Sequence, residues 1–140
     1  MKDRVLVDTN ILVYAYDRST PKQQQALEVL NQLAITGKGV LSTQVLAEFF
    51  VTVTRKIPSP LDVPTAYERI QNYLRSWSVV DINGWVILEA VRGVRDYQFG
   101  YWDAQIWAVA RLNQIALVYS EDFNVGSVIE GVQFVNPFNK

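Results

Sequence analysis

RVLVDTNILVYAYD, residues 4–17, joins an apolar run, Val5 to Val7, directly to an aspartate. Consecutive apolar residues without alternation read as a strand covered on both faces, as in a parallel sheet. A carboxylate at the end of such a strand is costly unless it caps a turn or faces a positive charge. Asp8, followed by Thr9 and Asn10, is therefore either a cap for the segment Ile11 to Tyr16 or a ligand. The rest of the chain has to decide between them.

Beyond this stretch, helical and extended patterns alternate. Thr20 and Pro21 read as the cap and first residue of a helix that carries Ala26, Leu27, Leu30, Leu33 and Ala34 at helical spacing and closes at Gly37. Gly39 to Leu41 is a short strand. Ser42 or Thr43 caps a helix to about Arg55 with an apolar arc of Val45, Leu46, Phe49, Phe50 and Val53, although its run Val51 to Thr54 is β-branched. Pro58-Ser59-Pro60 is a loop, and Asp62 caps a helix to about Trp77. Val79 to Ile82 reads as a strand, Asn83 as the cap of a helix to about Arg95, and Gly100 as a break before a helix from Trp102 to Asn113. Ala116 to Tyr119 and Gly131 to Val135 are the last strands, the final one ended by Pro137. Strands separated by helices imply parallel pairing through crossovers. The expected fold is a three-layer α/β/α sandwich around a mostly parallel sheet of about four or five strands.

At 140 residues the chain suits one domain, long enough to bury roughly two-thirds of its unfolded surface. A hydrophobic share of 49%, with four Trp, seven Tyr and six Phe, fills a core and leaves apolar area for a partner. No basic start precedes an apolar stretch, and no apolar run nears the roughly 20 residues that span a bilayer, so a soluble protein in the cytoplasm is expected. The net charge of −1 gives no global basic footprint. With no cysteine and no histidine, disulfides, thiolate sites, imidazole bases and imidazole metal sites are all excluded. Any chemistry rests on carboxylates, hydroxyls, amides, Lys and Arg, and oxygen donors of that kind suit Mg²⁺ or Mn²⁺.

Ligands of open α/β sheets gather at the carboxyl ends of the strands, where Asp8 lies after the first strand and Asp122 just past Ala116 to Tyr119. Asp103 precedes Ile106, Trp107 and Ala110 by helical steps, which places it in an apolar stripe, facing inward in the first helical turn. Glu48 flanks the arc of Val45 and Phe49. Each has a plain structural explanation: a turn or cap for Asp8, a helix-dipole contact for Asp103, and solvated positions for Asp122 and Glu48. Together, inward or edge-facing acids repel one another unless a cation neutralises them.

The words Val-Asp-Thr-Asn at 7–10, Ser42 to Ala47 ahead of a helical Glu48, Tyr101-Trp102-Asp103-Ala104, Tyr119 to Phe123 and the terminal Val135 to Phe138 resemble PIN domains, most of all the VapC-type toxins of bacterial toxin–antitoxin pairs. The resemblance runs along essentially the whole chain. It implies an endoribonuclease in which Asp8, Glu48, Asp103 and Asp122 hold Mg²⁺ or Mn²⁺, supported by Thr9, Asn10 and Ser120. An ion on Asp8 and Asp103, with Glu48 and Asp122 acting through water or a second ion, would activate a water against a phosphodiester and leave a 5′-phosphate and a 3′-hydroxyl. Asn124 stands where many of the family carry a further acid, so one well-occupied ion is expected in the free protein.

Arg55, Lys56, Arg92 and Arg95 end two helices and are candidate contacts to an RNA backbone, while Trp85, Tyr97 and Tyr101 are candidate stacking groups set against an ordinary role in the core. The apolar excess and the resemblance both imply a homodimer and a cognate antitoxin, whose arginine is a candidate to enter the acid cluster. Two rival readings stand beside this one. A catalytically silent binding module would keep the acids as a capping network. A phosphoacceptor of the response-regulator or haloacid-dehalogenase kind also places an aspartate after its first strand, but it requires a late lysine, and none occurs between Lys56 and Lys140.

Overall fold

The protein is described by a computed structural model over residues 3–138. The elements follow in the order β1 (Val5–Val7), α1 (Thr9–Tyr14), α2 (Gln23–Thr36), β2 (Gly39–Ser42), α3 (Thr43–Arg55), α4 (Val63–Ser76), β3 (Ser78–Val80), α5 (Gly84–Tyr97), α6 (Tyr101–Leu112), β4 (Leu117–Tyr119), β5 (Val128–Ile129) and β6 (Val132–Val135). Mixed α/β architecture around a mostly parallel sheet is as expected; the number of strands is not. Among the described residues there are six, in the order β3-β2-β1-β4-β6-β5, with β5 alone antiparallel, to β6. The additional strand has two residues and turns through Glu130 and Gly131, both at positive φ, as a two-residue hairpin of the primed type requires. Two residues carry no period, so β5 leaves no trace in the hydrophobic pattern.

β1 lies between β2 and β4 and is buried at every position. The chain steps from β1 outward to β2 and β3, then returns to place β4 on the other side of β1. That reversal makes the crevice between the ends of β1 and β4 the topological switch point. α1 to α4 pack on one another and α5 packs on α6, the two groups that right-handed crossovers in this strand order set on opposite faces of the sheet. The core is continuous through the sheet, with Leu6, Val7, Leu41, Val118 and Phe134 packed against Ile11, Leu12, Phe49, Ile106 and Trp107. Trp107 is wholly buried and donates from Nε1 to the Ile129 carbonyl at 3.2 Å.

Caps account for most element boundaries. Asp62 accepts from Thr65 N at 2.8 Å and Asn83 from Val86 N at 3.0 Å, as anticipated. Of the two candidate caps for α3, Ser42 serves, accepting from Val45 N at 3.2 Å, while the Thr43 hydroxyl accepts from Ile82 N beyond β3. The β-branched end of α3 stays helical because Val53 is buried and Thr54 Oγ1 donates to the Phe50 carbonyl. The start of α2 differs from expectation. Thr20 Oγ1 accepts from Lys22 N and closes a turn, so Pro21 lies in that turn and the helix opens at Gln23. Among the described residues, no helix is long and apolar enough to cross a membrane.

Candidate active site

Asp8 both caps and presents a charge. It follows β1, donates its backbone N–H to the Tyr119 carbonyl, and caps α1 through Oδ1, which accepts from Thr9 N at 2.7 Å. Its other oxygen, Oδ2, accepts from Ser120 Oγ at 2.9 Å. Ser120 follows β4, is fully buried, and also accepts from Phe123 N. One carboxylate thus spans the switch point, held from β1 on one side and β4 on the other. Burial raises the Asp8 carboxyl to about 6, against the lowering effect of its bonds from Ser120 and Thr9, and the charges of Asp103 and Glu48 push it the same way as burial.

Glu48 comes from the second turn of α3. Thr9 Oγ1 donates to its Oε1 at 2.8 Å and Gln44 Nε2 reaches its Oε2 at 3.4 Å. Asp103 lies on the first turn of α6, and here the structure corrects the expectation of an inward-facing side chain. Asp103 is exposed, and the buried surface of α6 begins at Ala104. The periodicity identified the right helix, but its first turn rises past the covered part of the core. Partial burial nevertheless raises the Asp103 pKa, with Glu48 and then Asp122 adding to it. Asp122 is exposed after β4, while its neighbour Glu121 is taken up by Tyr14, at 2.5 Å, and by an ion pair with Lys22. Asp122 rather than Glu121 is therefore the acid of this loop that acts on the cluster.

Asp103 and Glu48 act on Asp8, and Glu48 and Asp122 on Asp103, yet the four acids pair with no Lys or Arg among the described residues. Also among the described residues, no three of them form a closed set of metal ligands. The donor chemistry fits a hard divalent cation: every donor is oxygen, the charge is uncompensated, and Asn10 Oδ1 beside Asp8 is a buried acceptor without a partner. An ion would have to draw these acids together on binding.

Open grooves flank Glu48. One is lined by Thr9, Ala47, Val51, Thr52 and Lys56, the other by Thr43, Gln44, Ile82, Trp102 and Gln105. Of the basic candidates, Lys56 borders a groove. Arg92 is held by Glu89, Asp96 and Glu130 over the ring of Trp107, and Arg95 by Asp96, so both are engaged within α5 and its surroundings. Arg55 sits exposed in the last turn of α3. Among the aromatic candidates, Tyr97 bonds to Glu130 and Tyr101 donates to Gln105, whereas Trp85 is 73% exposed on α5.

Sequence reasoning missed three residues here. Trp102 is 63% exposed and borders a groove beside Glu48, while Gln44 and Gln105, 8% and 4% exposed, join α3 to α6 through a 2.8 Å bond from Gln105 Nε2 to Gln44 Oε1. The available signal was a glutamine one helical turn before Glu48 and another inside the apolar run of α6.

Comparison with known proteins gives a consistent picture. The sequence profile described as the PIN domain matches residues 5–128. Among solved structures, VapC20 from Mycobacterium tuberculosis, described as a sarcin-ricin loop cleaving toxin, superposes with a TM-score of 0.70 at 17% identity, covering 90% of this chain and 97% of that one. A toxin–antitoxin complex from Klebsiella pneumoniae gives 0.68 at 22% identity, covering 96% and 98%. FitAcB from Neisseria gonorrhoeae gives 0.67 at 17% identity, covering 97% and 99%. At these identities the likeness is one of fold. No curated protein matches the sequence.

Proposed function

Since the chain belongs to the PIN domain family, we propose that it is a metal-dependent endoribonuclease, the toxin of a toxin–antitoxin pair, acting as a single catalytic domain with Asp8, Glu48, Asp103 and Asp122 as its site. The observation that supports this reading is that acids from separate elements act on Asp8 and Asp103, Asp103 and Glu48 on the first and Glu48 and Asp122 on the second, with no basic partner among the described residues. A capping network needs one carboxylate per helix end; it does not need Asp8 and Asp103 to be raised by neighbouring acids.

Mg²⁺ or Mn²⁺ would supply a positive centre that acidifies water and steadies the charge that develops on a phosphodiester. The chain's own residues do the rest. Ser120 and Thr9 fix the plane of the Asp8 carboxylate, and Thr9 also fixes Glu48, so one threonine sets two acids. Asp103 and Asp122 are both exposed and would be open to an arriving polymer. Lys56 would meet backbone phosphate in one groove and Trp102 would stack a base in the other. Because water attacks, the RNA 2′-hydroxyl takes no part in bond breaking, and preference for RNA arises in binding.

Similar structures described as toxin–antitoxin complexes support an antitoxin as the natural inhibitor. Exposed Trp85, Ile87, Leu88 and Val91 along α5 support a homodimer, since apolar area of that kind is what such interfaces bury. Calorimetry with Mn²⁺ on wild type and Asp103→Asn, together with sequencing of the ends released from RNA, tests the proposal. Mn²⁺ binding lost in the variant, and new 5′-phosphate ends made by wild type alone, are expected. Absence of metal binding by wild type would favour the catalytically silent module, which the open spread of the acids also suits.

A further inference from the structure

Gln44 and Gln105 have no place in the chemistry above, yet they are buried polar groups at its edge. Their bonds form a directed chain. Tyr101 OH donates to Gln105 Oε1 at 2.7 Å, Gln105 Nε2 donates to Gln44 Oε1 at 2.8 Å, and Gln44 Nε2 reaches both the Trp102 carbonyl at 3.2 Å and Glu48 Oε2 at 3.4 Å. Each amide oxygen accepts and each amide nitrogen donates, and the chain ends on groups that only accept, the Trp102 carbonyl and the Glu48 carboxylate, which therefore set the orientation of both amides. With the Gln44 nitrogen turned to them, its oxygen takes the Gln105 nitrogen, and the Gln105 oxygen is left to accept from Tyr101.

Both ends of this chain bear on the acids. One end is the first turn of α6, Tyr101 and Trp102, which carries Asp103; the other is Glu48 on α3. Two like charges on separate helices repel, and neither helix alone has a reason to hold its acid near the other. Thr9 fixes one oxygen of Glu48 from β1's side of the site, and the amide chain approaches the other from α6.

We propose that Tyr101, Gln105 and Gln44 are positioning residues that set the separation of Glu48 and Asp103 by a buried hydrogen-bond relay between α6 and α3. This rests on the reading of the acids as a metal site. The relay acts before any ion arrives, tying α6 to α3 and narrowing the rotamers open to Glu48, so that less remains to be ordered when the acids draw together on an ion. A long, flexible glutamate without it would lose rotamer freedom on each binding event.

The test is Mn²⁺ affinity by calorimetry for wild type, Asp103→Asn, Tyr101→Phe and Gln105→Leu, with circular dichroism and melting temperature measured for each. Tyr101→Phe removes a single oxygen and keeps the ring, so it stands if Gln105→Leu fails to fold. We expect each relay variant to bind Mn²⁺ tenfold to a hundredfold more weakly while remaining folded. In a Glu48→Gln background, Tyr101→Phe should cause no further weakening, because the relay acts only through Glu48. Wild-type affinity in Tyr101→Phe, or an equal loss with and without Glu48, would overturn the relay while leaving the metal site intact. No Mn²⁺ binding by wild type would overturn the metal site itself and the relay with it.

Discussion

Replacing Asp8 with Asn measures the uncompensated charge at the switch point without any substrate. Burial first, then Asp103 and Glu48, raise the Asp8 carboxyl from 3.8 to about 6. The folded protein therefore keeps a proton that the unfolded chain releases between about pH 4 and pH 6. Unfolding is favoured by that release, so stability falls as pH rises through this window and stays reduced above it. At about 1.4 kcal/mol per factor of ten, the displacement corresponds to about 3 kcal/mol at neutral pH. Asparagine keeps the geometry: Oδ1 can still accept from Thr9 N, and the Ser120 hydroxyl has lone pairs for both the new amide and Phe123 N. In a chelating buffer, urea unfolding should show Asp8→Asn more stable than wild type by up to about 3 kcal/mol at pH 7.5 and equal to it near pH 3.5. Excess Mn²⁺ should then stabilise wild type but not the variant. A variant that is no more stable at pH 7.5, or whose advantage does not change with pH, would refute the charge argument.

Four further substitutions probe the frame and the grooves. Ser120→Ala leaves Phe123 N without an acceptor and Asp8 Oδ2 without its donor, so a loss of about 1–3 kcal/mol on urea unfolding is expected, together with weaker Mn²⁺ binding in calorimetry. Gly39→Ala would set a Cβ 2.2 Å from the Trp77 ring. Overpacking of that kind should lower stability by about 1–3 kcal/mol, read by thermal melting, with Mn²⁺ affinity unchanged. Lys56→Ala should weaken RNA binding and reduce its salt slope by about 1 in filter binding, whereas Arg92→Ala, already committed to Glu89 and Glu130, should change melting temperature and leave that slope alone.

Two of the candidate acids stood out because a local rule made them odd, whereas Glu48 and Asp122 read as solvated positions until set beside the others. Asp8 ended a continuous apolar run, and Asp103 opened an apolar stripe that proved to be real from Ala104 onward. Caps at Asp62 and Asn83 were legible for the same reason, since an N-cap is decided within four residues. The turn at Thr20 was misplaced because the same hydroxyl can close a turn or open a helix, and only packing of α2 selects between them. The hairpin strand β5 went unseen, being set by its partner β6 rather than by its own two residues.

Composition and order alone determined a chain without imidazole or thiol, a mostly parallel sheet with crossover helices, and an aspartate at the carboxyl end of its first strand. Those properties follow from local patterns and from what is missing. Tertiary structure decided which groups meet. Ser120 reaches Asp8 across 112 positions of sequence, Thr9 reaches Glu48 across 39, and Gln105 reaches Gln44 across 61. It also committed Arg92 to neighbouring acids and left Lys56 beside a groove. The reason is physical: a side chain's chemistry belongs to the residue, whereas its partners, burial and pKa belong to the sheet order that brings β4 back beside β1.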